Sequence, residues 1–366
     1  MNFDLTDEQQ LLRDTTRELL ARSYDIERLN KVRDTDLGWS REVWKQLADV
    51  GILGLGQDPE ESGQIEITTV MTEVGRRLAP EPVASAALIA GGLIAEVGAE
   101  QQKQLLDDIA SGDVLAALAH TEAGMRSPWE EVTTRAANEG EAWTVTGHKH
   151  PVMGGDVADV LIVSATVPDG SVGLFVVDGS GAQRQAYRTF DGQRGAEITL
   201  DATAAEPLNL GGDATQNLAR TLIRYQSALC AEAVGAMEEA LRLTTEYLTS
   251  RKQFGVTLNT FQTLTHRAAD MYVSLELARS MNSYAAMSIA SGVYDPVIAS
   301  RAKLQIGRSG RHIAQEAIQL HGGIGMTAEY PVGHYAARLT AIDNTLGTAD
   351  DHLRTLITHI DEAASV

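Results

Sequence analysis

The hydrophobic pattern changes period twice along the chain. Thr6, followed three positions later by Gln9, forms a capping-box pattern, and Leu11, Leu12, Leu19 and Leu20 recur behind it at helical spacing. A first helix is therefore predicted there. Ser40 caps a second helix carrying Val43, Trp44 and Leu47, which Gly51 stops. A third runs over about residues 65–78 until APEP at 79–82 breaks it, and two more patterns cover 83–97 and 100–110 before Ser111–Gly112 closes the segment. The texture then becomes short β-branched or alternating runs, VLAALAH, AWTVTGHKHPV, ADVLIVSATV, VGLFVVDG and AEITLDA, separated by Gly, Asp and Asn. From Asp213 onward long amphipathic patterns return over 217–251, 261–291 and 296–321, lengths that usually form a bundle.

The predicted fold class is thus α+β and multi-domain: a helical domain over residues 1–112, a β-domain over 113–212 and a C-terminal helical bundle over 213–366. Strands do not alternate with helices and no G-x-G-x-x-G follows a strand, which excludes a Rossmann order. Hydrophobic residues make up 43% of the 366, ample for a large core. The 30 Lys+Arg against 50 Asp+Glu give a net charge of −20, which repels phosphate backbones and anionic surfaces, so neither nucleic acid nor membrane is an expected partner. The single cysteine, Cys230 in LCAEA, reads as a buried helix position. The opening MNFDLTDEQQ has early acids and no apolar stretch of signal-peptide type, and no run of apolar residues reaches membrane-spanning length, so a cytoplasmic location is expected.

Two motifs stand out. The first long C-terminal helix ends in Arg251-Lys252-Gln253-Phe254-Gly255, with Phe261–Gln262 shortly after, and the third ends in Gln319-x-x-Gly322-Gly323-x-Gly325. Taken singly, Arg251 reads first as a helix-end cation, Phe254 as a core aromatic and Gly322–Gly323 as a plain helix stop. Together, on this three-part layout, they resemble the acyl-CoA dehydrogenase family, flavoenzymes that form an α,β double bond in an acyl-CoA thioester. The resemblance spans essentially the whole chain and implies a middle β-barrel domain, a C-terminal four-helix bundle and FAD as cofactor. It also implies that Arg251, Phe254, Gln262, Gln319, Gly322 and Gly323 hold the pyrophosphate and adenosine end of a neighbouring subunit's FAD. Arg supplies a forked cation, and glycines let the backbone approach the ligand closely.

The family's other motifs are altered. Where T-E-P-x-x-G-S-D is usual, the chain reads Thr121-Glu122-Ala123-Gly124-Met125-Arg126-Ser127-Pro128. Where G-x-K-x-W-I-T brings a ring and a hydroxyl to the flavin, it reads Gly147-His148-Lys149-His150-Pro151-Val152-Met153, and neither Pro151 nor Met153 can donate a hydrogen bond from its side chain. His148 and His150 alternate on a strand without a third ligand in reach, so no metal site is expected. The usual base, the Glu of E-G-T, aligns with Leu346 in Leu346-Gly347-Thr348, and the base position some members use on the first long helix, ten residues before Gly235, is Tyr225. Glu232, two turns beyond Tyr225, is the first candidate for a relocated base, and Asp343 the second.

The losses and retentions divide by half-site: what would serve the chain's own flavin and substrate is degraded, and what would serve a neighbour's FAD is kept. The expected role is a non-catalytic subunit resembling those of actinobacterial heteromeric α2β2 enzymes, whose substrates are often sterol side-chain thioesters. Its partners would be a homologous catalytic subunit that binds most of the acyl-CoA, and an electron-transferring flavoprotein. Two alternatives stand beside it: a self-sufficient homo-oligomer using Glu232, and a FAD-free scaffold.

Overall fold

The computed structural model describes residues 5–58, 62–140, 142–208 and 213–363, with the side chains of 361–363 left aside. The first four residues, on which the expectation of no leader partly rests, and the outermost ends of the first and third predicted domains lie outside that set. The helical opening comprises α1 (Asp7–Ser23), α2 (Ile26–Arg33), α3 (Arg41–Asp49), α4 (Gln64–Arg77), α5 (Ile89–Val97, preceded by a π-helical turn at Ala84–Leu88), α6 (Glu100–Lys103) and α7 (Leu105–Ala110). The strands are β1 (Ala116–Ala119), β2 (Arg135–Glu139), β3 (Ala142–Met153), β4 (Val160–Thr166), β5 (Val172–Asp178), β6 (Gln183–Arg188) and β7 (Arg194–Pro207). Then come α8 (Thr215–Ser250), a small hairpin of β8 (Lys252–Gln253) and β9 (Val256–Thr257), α9 (Gln262–Ala290), α10 (Pro296–His321), α11 (Val332–Asn344) and α12 (Ala349–Ala363).

The capping signals at Thr6 and Ser40 act as read, and Asp295 adds one that the pattern did not single out. Thr6 and Gln9 bond each other's backbone N–H groups, Ser40 Oγ accepts from Val43 N at 3.3 Å, and Asp295 accepts from Val297 N at 2.7 Å with Pro296 opening α10. The pattern at 100–110 is two short helices meeting at Gln104 rather than one. The pattern also left out α2, β2, β6, the β8–β9 hairpin, α11 and α12. RAANE and QRQAYR are too polar to read as strands, because each is a mostly exposed strand held by its neighbour's backbone.

The chain forms two compact units. One comprises Val32–Ile67 and Pro80–Tyr225 and contains the sheet. Its strands run β1-β4-β2-β3-β7-β5, β6 pairs with β7, and β5 pairs back onto β4, so the sheet closes on itself as a barrel. Val145, Leu161, Val163, Phe175, Ile198 and Leu200 fill it, with Trp143 tilted against Phe175 at 5.3 Å. Each such side chain contributes about 1.5–3 kcal/mol through burial.

The other unit comprises Met1–Lys31, Thr68–Ala79 and Gln226–Val366, and is helical. Here α4 and α8 approach through a reciprocal glycine contact. A Cβ on Gly75 would lie 1.8 Å from the carbonyl oxygen of Glu232, and one on Gly235 would lie 1.8 Å from that of Thr72. No other residue fits at either crossing position. Around it, Glu73 accepts from both Arg17 and Arg76, and Glu238 from Arg76 and Arg279, tying α1, α4, α8 and α9 together.

Candidate functional site

In the helical unit the predicted clamp residues gather at one end of the bundle. α9 and α10 run antiparallel, with Arg267 on Glu316 and Ser274 on His312, so Gln262 at the start of α9 and Gln319 at the end of α10 lie at the same end. Tyr247, one turn before Arg251, stacks on His321 at 4.6 Å, which brings the end of α8 there too. Arg251, Phe254, Gln262, Gln319, Gly322 and Gly323 are all exposed.

The backbone explains two of these residues. Phe254 and Gly255 turn the β8–β9 hairpin with φ of 54° and 83°, and the left-handed region is a rare place for an aromatic residue. Phe254 is 92% exposed, and its ring centroid lies 6.1 Å from that of Phe261, edge-on. Gly322 ends α10 at φ 64° and donates to the carbonyls of Gln319 and Ile318, and a Cβ on Gly322 or Gly323 would meet nothing within 4 Å. Both backbones thus border open space. Beneath the turn His321 is buried; its Nδ1 donates to the Ala317 carbonyl, and Nε2 accepts from Tyr330 Oη at 3.1 Å. Burial pushes its imidazole below the usual range. A neutral histidine wedged between two tyrosines fixes the helix end from below. An outward cation, open glycine backbone and an exposed ring fit a ligand with a pyrophosphate and an aromatic base, as FAD has.

In the sheet unit the two altered motifs keep their buried halves. Lys149 Nζ is fully buried and donates to Glu122 Oε1 at 2.8 Å, Ser164 Oγ at 3.2 Å and the His120 carbonyl at 3.1 Å. Glu122 also accepts from the N–H groups of Thr133 and Thr134 and from the Thr133 hydroxyl. Burial raises the Glu122 carboxyl, but these donors outweigh it and hold it at about 2. Burial pulls the Lys149 ammonium down, against the pull of Glu122. His120 lies between Ser164 Oγ and the Pro128 carbonyl, at 2.9 Å from each, and burial takes its ring to about 4.

The network anchors the 121–134 segment to β3 and β4. What differs from the family pattern lies beyond it. Met125 folds back to accept from Glu122 N, Arg126 is exposed, and Pro151 and Met153 stand where a ring and a hydroxyl would be. His148 and His150 approach opposite oxygens of Glu197, at 4.0 and 3.7 Å, and no cluster able to hold a metal occurs among the described residues.

The candidate base positions are also accounted for. Leu346 sits at φ 58° in the turn after α11, and its carbonyl accepts from His352 Nε2 at 3.0 Å and Gln226 Nε2 at 3.4 Å. Tyr225 is half-buried on α8. Glu232, read as a candidate relocated base, is instead buried with both oxygens on Arg338, at 2.6 and 2.8 Å; accepting a proton would break that pair. Asp343 is buried, receiving Ala349 N on one oxygen and Arg311 on the other.

Sequence reasoning missed Lys303 and His352, which hold the Leu346 turn. Lys303 Nζ, fully buried, caps α11 through the carbonyls of Ile342 (2.6 Å) and Thr345 (2.8 Å), and burial lowers its pKa. A lysine inside the apolar row of α10 was the available signal. Burial, helped by the Lys303 charge, pushes His352 down to about 4.

A helical domain, a middle β-barrel and a C-terminal helical domain, in this order, define the fold of the FAD-dependent acyl-CoA dehydrogenases. The chain belongs to the acyl-CoA dehydrogenase family: the models "Acyl-CoA dehydrogenase, N-terminal domain" and "Acyl-CoA dehydrogenase, C-terminal domain" match residues 6–113 and 219–360. It is 29% identical to a probable acyl-CoA dehydrogenase, YngJ, of Bacillus subtilis, over 91% of this chain and 92% of that one. Among solved structures it resembles a variant of the Tcur3481–Tcur3483 steroid ACAD, with TM-score 0.91 and 31% identity over 98% of this chain and 99% of that one. It also resembles a chain of the ChsE4–ChsE5 complex from Mycobacterium tuberculosis, with TM-score 0.89, 25% identity and 99% coverage of both. Among the described residues no helix is long and apolar enough to cross a membrane.

Proposed function

We propose that this chain is the non-catalytic subunit of a cytoplasmic heteromeric acyl-CoA dehydrogenase, and that it completes the FAD site of a homologous catalytic partner. The organisation is an N-terminal helical domain at 1–112, a β-domain at 113–212 and a bundle at 213–366. The carrying observation is the outward clamp: an aromatic residue in a left-handed turn with 92% of its surface exposed reaches for something outside its own unit. Arg251 pairs with the pyrophosphate, Gly322 and Gly323 offer close backbone approach, and Gln262, Gln319 and Phe254 border the adenosine end.

FAD, when bound, accepts the hydride that leaves the β-carbon of the acyl-CoA. The partner supplies the carboxylate that removes the α-proton, because Leu346 and Tyr225 occupy this chain's two base positions and Glu232 is held by Arg338. The partner likewise binds most of the acyl-CoA, and an electron-transferring flavoprotein takes the electrons. The likeness to a steroid ACAD supports a sterol side-chain thioester as the substrate class, and the likeness to a chain of the ChsE4–ChsE5 complex supports a second, different chain as partner.

The test is to express the chain alone and together with a homologous dehydrogenase chain from its source, and to count flavin per chain. Flavin and acyl-CoA oxidation are expected only in the complex, with Arg251→Ala lowering the flavin content of that complex. A yellow, active protein from the single chain, or full flavin in the variant complex, would overturn the proposal.

A further inference from the structure

The clamp lies at one end of a longer surface. From Gln262 the outer side of α9 continues through Val273, Leu277 and Tyr284, spaced at three- and four-residue multiples along one stripe, and all three are exposed although apolar. Beside it the outer side of α10 leads back to Gln319 through Arg301, Arg308 and Arg311 at similar spacing. Arg311 reaches Asp343 at 3.2 Å, but Arg301 and Arg308 are exposed and make no ion pair among the described residues. α10 carries one carboxylate, Glu316, and Arg267 occupies it. A cationic row beside an apolar stripe is unexpected in a chain of net charge −20.

From this charge pattern we infer that the outer face of the α9–α10 pair docks a second chain of the same fold whose facing helices carry carboxylates, and that Arg301 and Arg308 select such a chain over another copy of this one. The inference rests on the heteromeric reading above and deepens it by stating the chemistry of the partner's surface. Covering Val273, Leu277 and Tyr284 removes apolar surface from water, the non-specific part of the attraction. Covering Arg301 and Arg308 is costly unless carboxylates oppose them, and like charges across an interface discriminate against a wrong partner. A second copy brings two more unpaired arginines, and from the outer side of α9 only the exposed Asp270. A homologous chain with acidic residues there satisfies both rows.

The test needs no knowledge of the partner. The wild-type chain and the R301E/R308E variant are purified, then run singly and as an equimolar mixture by sedimentation velocity at about 50 mM and about 500 mM NaCl, on either side of strong screening. The expected result is a mixed dimer at low salt, at least about tenfold tighter than the self-association of either chain. Raising the salt should remove that preference, and Leu277→Glu should abolish the dimer. R308E alone should show a smaller preference in the same direction, which serves if the double variant fails to fold. A mixture with no preference over the separate chains, or a wild-type dimer unaffected by charge reversal, would overturn the inference. The mixed dimer is expected to form without flavin, so its absence is distinguishable from failure of the heteromeric reading, which the flavin count and Arg251→Ala address.

Discussion

Glu122 and Lys149 meet at 2.8 Å inside the sheet unit, joining the two segments whose sequences depart from the family pattern. The pair does structural work. It fixes the 121–134 segment to β3 whatever stands at Met125, Pro151 or Met153. Removing one partner strands the other charge in the core, so Lys149→Ala should cost about 3–5 kcal/mol in chemical denaturation of the sheet unit. The double change E122Q/K149M should lose less than the sum of the single changes, and strict additivity would mean that the pair is not coupled.

Two buried histidines set the acid limit. The rings of His120 and His352 are both held at about 4, so the folded chain keeps them neutral while the unfolded chain binds protons below about 6.5. Their contribution is therefore fully present above pH about 6.5 and is lost as the pH falls toward about 4, by up to about 3 kcal/mol each. Thermal unfolding followed between those limits should show the loss, and His120→Gln should flatten it.

The Glu232–Arg338 pair predicts a split between stability and turnover. In the reconstituted complex Glu232→Gln should leave the rate of acyl-CoA oxidation within about twofold, while lowering the stability of the chain by several kcal/mol, as loss of one member of a buried pair does. A loss of turnover of about a hundredfold or more with the fold intact would make Glu232 the base after all.

Phe254 offers the converse split. Its ring is almost wholly exposed, so Phe254→Ala should change the stability of the isolated chain by less than about 0.5 kcal/mol. In the complex the same change should lower flavin retention on dilution. Unchanged retention would separate Phe254 from the cofactor.

The linear chain was enough to determine the layout and the family. Capping at Thr6 and Ser40, the change from helical to alternating periodicity near residue 113 and back near 213, and the spacing of Arg251, Phe254, Gln319 and Gly322 are local signals, set by backbone geometry and by which face of one element is apolar. That Glu232 belongs to Arg338, 106 positions away, was decided only by folding. The same holds for Lys149 supporting Glu122, and for Lys303 and His352 beneath the Leu346 turn. Each of these is a polar group whose partner is remote in sequence, and burial makes the pairing obligatory only after the helices and strands have packed. Packing also left the predicted clamp residues exposed. The sequence named its residues, but their exposure depends on which surfaces the bundle had already used.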